Sequence, residues 1–407
     1  MRQNFIFYFL IAIAIAIRLV FVMVLPVGQT VAFGLEGLND EPAHIKYVDF
    51  LTEQKCFPVQ KHHAREKDSF SRNEFEYYQA PLYYVAGAVA GIIVGKENTV
   101  LACRLLSFVF GLLTLWTVYK ICTALSVVGA ARQATTCFAA LLPTHAYFSS
   151  VVSNDSLCWL FSALCILVLI KQCMPAVKQW RPIKVGVVFG LLLGIGMLVK
   201  ASIVVFVPVA VLFFGMRYYD TKSRNWLWAF AISMCIGMCI AGPWYLRNIH
   251  LYGSMFAEET GNGPHQIFIF QPKQFYVFLN TGLYSFWFPM QHVPPSHWTG
   301  AIFHIESAYT IVAAALCLTY YIRIKRVSRA EIVMAAALFS TILAYCKYNL
   351  YWTNADGRFL LPALACISVF FCVPLAAVLG RYKVEYATPI AASVCALFPY
   401  SLLFFIK

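Results

Sequence analysis

Long apolar runs alternate with short polar turns along this chain, and the alternation sets its architecture. Phe5–Leu25 is a continuous apolar run, long enough for a membrane span, which takes roughly 20 residues. Further runs lie at Arg104–Cys122, Gln133–Val151, Leu157–Lys171, Lys184–Val199, Ser202–Met216 and Trp226–Gly242. After a long gap come Ser307–Ile322, Glu331–Tyr348, Phe359–Leu379 and Thr388–Phe405. Pro81–Gly95 is apolar too, but shorter and rich in Gly and Ala. Between Pro26 and Glu76 the chain is polar and acidic. There Ile45, Val48 and Leu51 make an apolar stripe while Lys46, Asp49 and Glu53 face away, which predicts an amphipathic helix on a membrane surface. Pro42 suits the first turn of that helix and puts Asp40 and Glu41 at its positive end. Asp40 and His44 are four apart, so they share a face if the helix reaches back that far.

Composition agrees with the pattern. The chain is 61% hydrophobic and 12% charged, against roughly 25% charged in soluble domains. This is an all-α, polytopic transmembrane helical bundle. The net charge of +13 invites a nucleic-acid reading, but the basic residues are scattered in short clusters between apolar runs, with no basic stripe interleaved with aromatics. No nucleic acid is expected as a partner; the lipid bilayer is. The 14 cysteines lie mostly inside apolar runs and read as small core residues. The first run lacks a small-residue cleavage site and reads as a retained span.

The basic clusters also give an orientation. Lys171/Lys178/Arg181/Lys184, Arg217/Lys222/Arg224, Arg323/Lys325/Arg326/Arg329 and Arg381/Lys383 fall in alternate turns, which places those turns in the cytoplasm. Counting back, the loop holding Asp40 lies outside only if Pro81–Gly95 does not cross. That stretch is expected to be interfacial or re-entrant, giving about eleven spans in a single domain covering residues 1–407. Residues 26–103 then form a first extracytoplasmic loop with interfacial helices, and residues 243–304 a second long one. On this topology Asp40, Glu41, Asp155, Lys200, Arg247 and Arg358 all reach the same, outer side. The plainer readings remain open at this stage: Asp40 and Asp155 as helix caps, Arg247 and Arg358 as snorkelling cations.

Several stretches, in order, resemble a known family. They are Asp40-Glu41 after the first run, Pro81-Leu82-Tyr83-Tyr84, Arg104-Leu105-Leu106-Ser107, and Leu142-Pro143 leading to Ser153-Asn154-Asp155. Gly190 to Gly194 through Lys200, Gly242-Pro243-Trp244-Tyr245-Leu246-Arg247-Asn248 and Gly357-Arg358-Phe359-Leu360-Leu361-Pro362 follow. Together they resemble the GT-C fold integral-membrane glycosyltransferases, in the branch of the protein O-mannosyltransferases and lipid A aminoarabinose transferases (glycosyltransferase family 39-like).

The resemblance implies transfer of a sugar from a polyprenyl-phosphate donor to a hydroxyl acceptor, with inversion, at the outer face of what is expected to be a bacterial inner membrane. An alcohol is a poor nucleophile near neutral pH, so a carboxylate must take its proton. By analogy Asp40 is that base, with Glu41 and Asp155 orienting acceptor or base. The departing lipid phosphate gains charge, so Arg358, Arg247 and Lys200 are the expected phosphate ligands. His44, Tyr83, Tyr84 and Trp244 are expected against substrate. Some relatives carry a phosphate-binding Lys where this chain has Ala80, which shifts weight to the arginines. No cofactor is expected to be required. A divalent cation, if used, would suit oxygen ligands from Asp40 and Asp155; His265, His292, His297 and His304 show no tight ligand spacing. A polysaccharide polymerase or ligase, and a lipid-sugar flippase or transporter, are the rival readings. Acids at the outer mouth of a lipid-facing groove favour the enzyme; acids at the bilayer midplane favour transport.

Overall fold

The computed structural model describes residues 2–25, 27, 40–60, 74, 76–175, 178–257, 272–287, 297–324, 327–351, 355–384 and 387–393. Among them every regular element is a helix. In chain order these are α1 (Arg2–Val24), α2 (Glu41–Gln54), α3 (Leu82–Val94), α4 (Thr99–Ala124), α5 (Gly129–Leu141), α6 (Pro143–Phe148) and α7 (Asp155–Lys171). Then come α8 (Pro182–Met197), α9 (Phe206–Thr221), α10 (Asn225–Tyr252), α11 (Pro272–Trp287), α12 (His297–Ile324), α13 (Arg329–Tyr351) and α14 (Leu364–Arg381). Among the described residues seven helices are long and apolar enough to cross a membrane. Helices α3 and α8 are apolar but shorter, and most of the expected last run, Thr388–Phe405, lies outside the described residues.

Two runs differ from the sequence reading. The run Gln133–Val151 is split, because Pro143 holds Leu142 in an extended conformation and a new helix starts on the proline. Helix α10 does not stop at Gly242; it continues through Pro243 to Tyr252, and Trp244 and Tyr245 on the added turns are buried. Part of the expected second outer loop is therefore helix.

Helix α7 is the centre of the bundle. Most of its side chains are buried on every face, as an all-round apolar sequence requires. Its neighbours fit closely. Helices α8 and α10 cross where Gly190 faces the Ser233 backbone, and a methyl group on Gly190 would come within 2.7 Å of the Ser233 carbonyl oxygen. Such small-residue contacts let backbones approach in a medium that offers no hydrophobic drive between helices.

Arg18, inside the first run, faces the interior rather than snorkelling. It is fully buried and donates to the carbonyls of Ala14 (2.9 Å) and Ala140 (2.6 Å) and to Ser149 Oγ (3.2 Å).

The α3–α4 hairpin fixes where the first loop sits. Tyr83 bonds Ser107, Gly87 packs on Cys103, and Gly91 packs on Thr99, so the helices run antiparallel. Between those contacts Arg104 donates to the carbonyls of Val22 (3.2 Å) and Leu25 (2.7 Å), at the end of α1. Only the first part of α4 pairs with α3. The remainder, about 25 Å at 1.5 Å per residue from Ser107 to Ala124, turns back along the bundle. Both ends of α3 thus stand at or beyond the end of α1, with Val85, Val89, Ile92 and Ile93 exposed on one side.

Helix α2 packs on α3 through a face that shares only Val48 with the expected stripe. The buried side chains are Glu41, Ala43, His44, Tyr47 and Val48, while Ile45 and Leu51 are half-buried. Tyr47 stacks on Tyr84 at 3.9 Å between ring centroids. The aromatic pair turns the helix so that His44 points inward.

Single cysteines placed at Glu97 and Lys222 in a cysteine-free background should label from opposite faces of the membrane. Glu97 follows α3, and Lys222 ends α9, which starts beside Lys200 on the side of α7 that bears Asp155. Labelling of both from one face would mean that α3 crosses.

Candidate active site

Three helix starts converge on one point. Asp40 stands at the head of α2, Asp155 is the first residue of the central helix α7, and Arg358 lies in the 3-10 turn Gly357–Ala363 that leads into α14. Neither aspartate caps its helix through its side chain. Both carboxylates instead turn toward cations, which decides against the capping reading.

Arg358 is the hub. Its Nη2 bonds Asp40 Oδ2 at 2.5 Å, its Nη1 lies 3.8 Å from Asp155 Oδ2, and its Nε lies 2.9 Å from Asp356 Oδ2. The guanidinium rests over the rings of Phe148 (4.7 Å) and Phe359 (5.2 Å). Lys200 adds a second cation, 2.5 Å from Asp155 Oδ1. Asp356 holds the turn in shape by accepting from the Arg358 backbone N–H at 2.9 Å. Gly357 admits no side chain here, since it lies against the Phe286 backbone and donates its N–H to Ser285 Oγ.

Burial alone would raise the Asp40 carboxyl, but Arg358, with help from Lys200, holds it below the usual carboxylate range. Asp40 is therefore ionised at neutral pH. It is also the more open of the two aspartates, with 27% of its side chain exposed against 4% for Asp155. His44 is pushed down to about 4 by burial and so is neutral. Glu76 is pushed up to about 8, first by burial and then by the Asp40 charge.

Glu41 and Asp40 are neighbours with different partners. Glu41 is buried and forks onto Arg104, with Oε1 2.8 Å from Nε and Oε2 2.7 Å from Nη2. It also accepts from the Val152 N–H at 2.8 Å. This residue ties the start of α2 to α4, to the end of α1 and to the approach to α7. Tyr83 is likewise buried, bonding Ser107 and accepting from the Ser153 N–H at 3.1 Å. Tyr84 is buried with its hydroxyl 2.8 Å from His44 Nδ1. Of the residues expected against substrate, these two tyrosines stand behind the site wall.

Arg247 and Trp244 form a second cluster. The Arg247 guanidinium stacks on the Trp244 ring at 4.6 Å and donates from Nη2 to the Pro58 carbonyl at 2.6 Å. Its buried Nη1 and the buried Trp244 Nε1 have no hydrogen-bond partner among the described residues. Trp244 packs in one cluster with Ala80. The adjacent Gln79 accepts from Asn154 Nδ2 at 2.8 Å, next to Asp155, so the two clusters share one wall.

Asp356, Glu76 and Gln79 were not singled out by sequence. Asp356 had a signal, an acid two residues before a candidate arginine. Glu76 was one carboxylate among several in an acidic stretch. His265 and His292 lie outside the described residues, as does the side chain of His297. The Arg358 guanidinium lies against both Asp40 and Asp155, the pair whose oxygens would suit a divalent cation if one were used.

Residues 80–245 match the family model of the dolichyl-phosphate-mannose-protein mannosyltransferases. No curated protein matches the sequence. Among solved structures, the chain is similar to the Archaeoglobus fulgidus oligosaccharyltransferase solved with Zn and sulfate (TM-score 0.58, 11% identity, 97% of this chain and 52% of that one). It is similar to ArnT from Cupriavidus metallidurans bound to undecaprenyl phosphate (TM-score 0.58, 12% identity, 97% and 75%). It is also similar to the archaeal oligosaccharyltransferase AglB in complex with an inhibitory peptide and a dolichol-phosphate (TM-score 0.55, 13% identity, 99% and 55%). The fold is GT-C. The chain spans about half the length of the archaeal proteins it matches, and it is an integral membrane protein.

Replacing Glu41 by Gln should leave the buried Arg104 charge unmatched and lower stability by about 3–5 kcal/mol. Thermal unfolding in detergent measures this, and the double change Glu41→Met with Arg104→Met should recover much of the loss. A Glu41→Gln protein that melts like the parent would refute the clamp.

Proposed function

We propose that this chain is a polyprenyl-phosphate-sugar-dependent glycosyltransferase that transfers its sugar to a hydroxyl acceptor with inversion. The observation that carries the reading is the convergence of Asp40 and Asp155 with Arg358 and Lys200 at the head of the central helix. Its support from relatives is the fold shared with ArnT bound to undecaprenyl phosphate and with AglB holding a dolichol-phosphate. The site opens to the outer face of a bacterial inner membrane, and the exposed apolar side of α3 lies in the lipid interface. The whole chain works as one transferase domain.

In this reading the acceptor oxygen attacks the anomeric carbon while the bond to the lipid phosphate breaks. The departing phosphate keeps the bonding electrons, and the hydroxyl proton passes to Asp40. Arg358 keeps Asp40 ionised and therefore ready, though it also weakens it as a base. That suffices, because the hydroxyl becomes strongly acidic only as it bonds to the electron-poor carbon. Glu41 fixes the head of α2 and so the aim of Asp40, while Asp155 holds Arg358 and Lys200 in register.

The lipid phosphate is assigned to Arg247 and Trp244, whose two buried donors have no acceptor among the described residues. Position 80, where some relatives carry a phosphate-binding lysine, packs on the same tryptophan. Lys200 and Arg358 line the approach from there to Asp40 and stabilise the charge that develops on the leaving group. His44 stands beside Asp40 on the acceptor side.

Asp40→Asn keeps the shape and removes the basicity. Transfer from a defined polyprenyl-phosphate sugar should fall by roughly 10²–10⁴-fold with donor binding retained, and product NMR should show an inverted anomeric centre. Retention of configuration, or a variant within a few-fold of the parent, would sink the assignment.

Arg247→Ala should weaken binding of a polyprenyl phosphate by roughly ten- to a hundredfold, the scale of a hydrogen bond to a charged group. Trp244→Phe, which keeps the ring and loses the N–H, should have a smaller effect in the same direction. Unchanged donor affinity in both variants would move the phosphate elsewhere.

A further inference from the structure

Asp40, His44 and Glu76 each offer one ligand atom, and the three atoms lie within 4.8 Å of one another. They come from two separate segments, the head of α2 and the turn before α3, so no sequence spacing announces them. Asp40 Oδ2 is on Arg358 and His44 Nδ1 is on Tyr84. Oδ1 and Nε2 are the atoms that remain for a ligand.

A second observation is independent of the clustering. Glu76 is more than nine-tenths buried, and its Oε2 has no hydrogen-bond partner among the described residues. An acceptor left unmatched in a protein interior is unfavourable, and here it belongs to the cluster formed with Asp40 and His44.

We propose that Asp40, His44 and Glu76 form a divalent-metal site fit for Zn²⁺. One imidazole nitrogen and two carboxylate oxygens are a donor set for zinc, and three protein ligands leave the fourth position to water or substrate. The imidazole argues against Mg²⁺ and Ca²⁺, which take oxygen ligands. The Tyr84 hydroxyl on His44 Nδ1 is the outer partner that a ligating histidine needs to fix its tautomer. Tyr47, stacked on Tyr84, holds that hydroxyl in place. The existence of the site stands on geometry alone; its use, holding the acceptor hydroxyl beside Asp40, rests on the transferase reading.

The test uses the full chain in detergent, stripped with a chelator and dialysed. Titration with Zn²⁺ alone, with metal content measured by mass spectrometry, should give one tight site per chain that Mg²⁺ does not fill. Glu76→Gln and His44→Ala should each weaken it at least tenfold, and Tyr84→Phe by about 10–100-fold. His250→Ala, an exposed histidine at the end of α10, should bind as the parent does. If the ligand variants fail to fold, Co²⁺ in the parent protein should give visible bands that Zn²⁺ abolishes. Absence of a tight site, or equal affinity in the parent and Glu76→Gln, overturns the proposal and leaves Glu76 as a neutral acid beside Asp40. Zinc binding without sugar transfer from any polyprenyl donor supports the site and sinks the transferase reading. Equal transfer rates in stripped and loaded enzyme remove the metal from acceptor binding and leave the transferase intact.

Discussion

The contact between Arg358 and three carboxylates is the constraint on which the rest of the site depends. Asp155 and Asp356 are almost fully buried and Asp40 largely so. In a medium of low dielectric constant, three like charges so close would repel strongly and two or more would protonate. One guanidinium offsets all three, hydrogen-bonding Asp40 through Nη2 and facing Asp155 and Asp356 as charge contacts. The contact also joins distant parts of the chain, since Asp40 and Arg358 are 318 residues apart. The head of α2, the head of α7 and the turn before α14 are thereby held at one place.

Scaffold and chemistry are divided between adjacent residues. Glu41 is locked to Arg104 and the Val152 N–H, whereas Asp40 keeps an open side. A rigid Glu41 is what allows Asp40 to be aimed, because a helix start held by a bidentate pair cannot swing. The same division appears in the tyrosines. Tyr83 secures the approach to Asp155, and Tyr84 secures His44. Positioning of this kind is what a transition state with little tolerance for misplacement requires.

The two candidate substrate regions have opposite electrostatics. Around Asp40 and Asp155 the charges are matched, while Arg247 Nη1 and Trp244 Nε1 have no acceptor among the described residues. In the proposed transferase reading Arg247 and Trp244 would hold the lipid phosphate and Asp40 would take a proton. The two regions are linked along one wall through Ala80 and Gln79.

Hydropathy and helical period are local properties, so the sequence by itself determined the helical bundle, most of its apolar runs, and the short Pro81–Gly95 helix. Acids and cations next to the ends of those runs were legible for the same reason: Asp40, Asp155, Lys200 and Arg358 do meet. Which way each side chain points was not legible, because successive residues on a helix rotate by about 100° and only the packing partner fixes the phase. Stacking of Tyr47 on Tyr84, not the stripe of Ile45 and Leu51, set the rotation of α2 and brought His44 inside. Tertiary structure alone assigned Glu41 to Arg104, moved Tyr83 and Tyr84 behind the wall, put one guanidinium against both Asp40 and Asp155, and drew Glu76 to Asp40. Those outcomes depend on contacts across tens to hundreds of residues, and no local pattern records them.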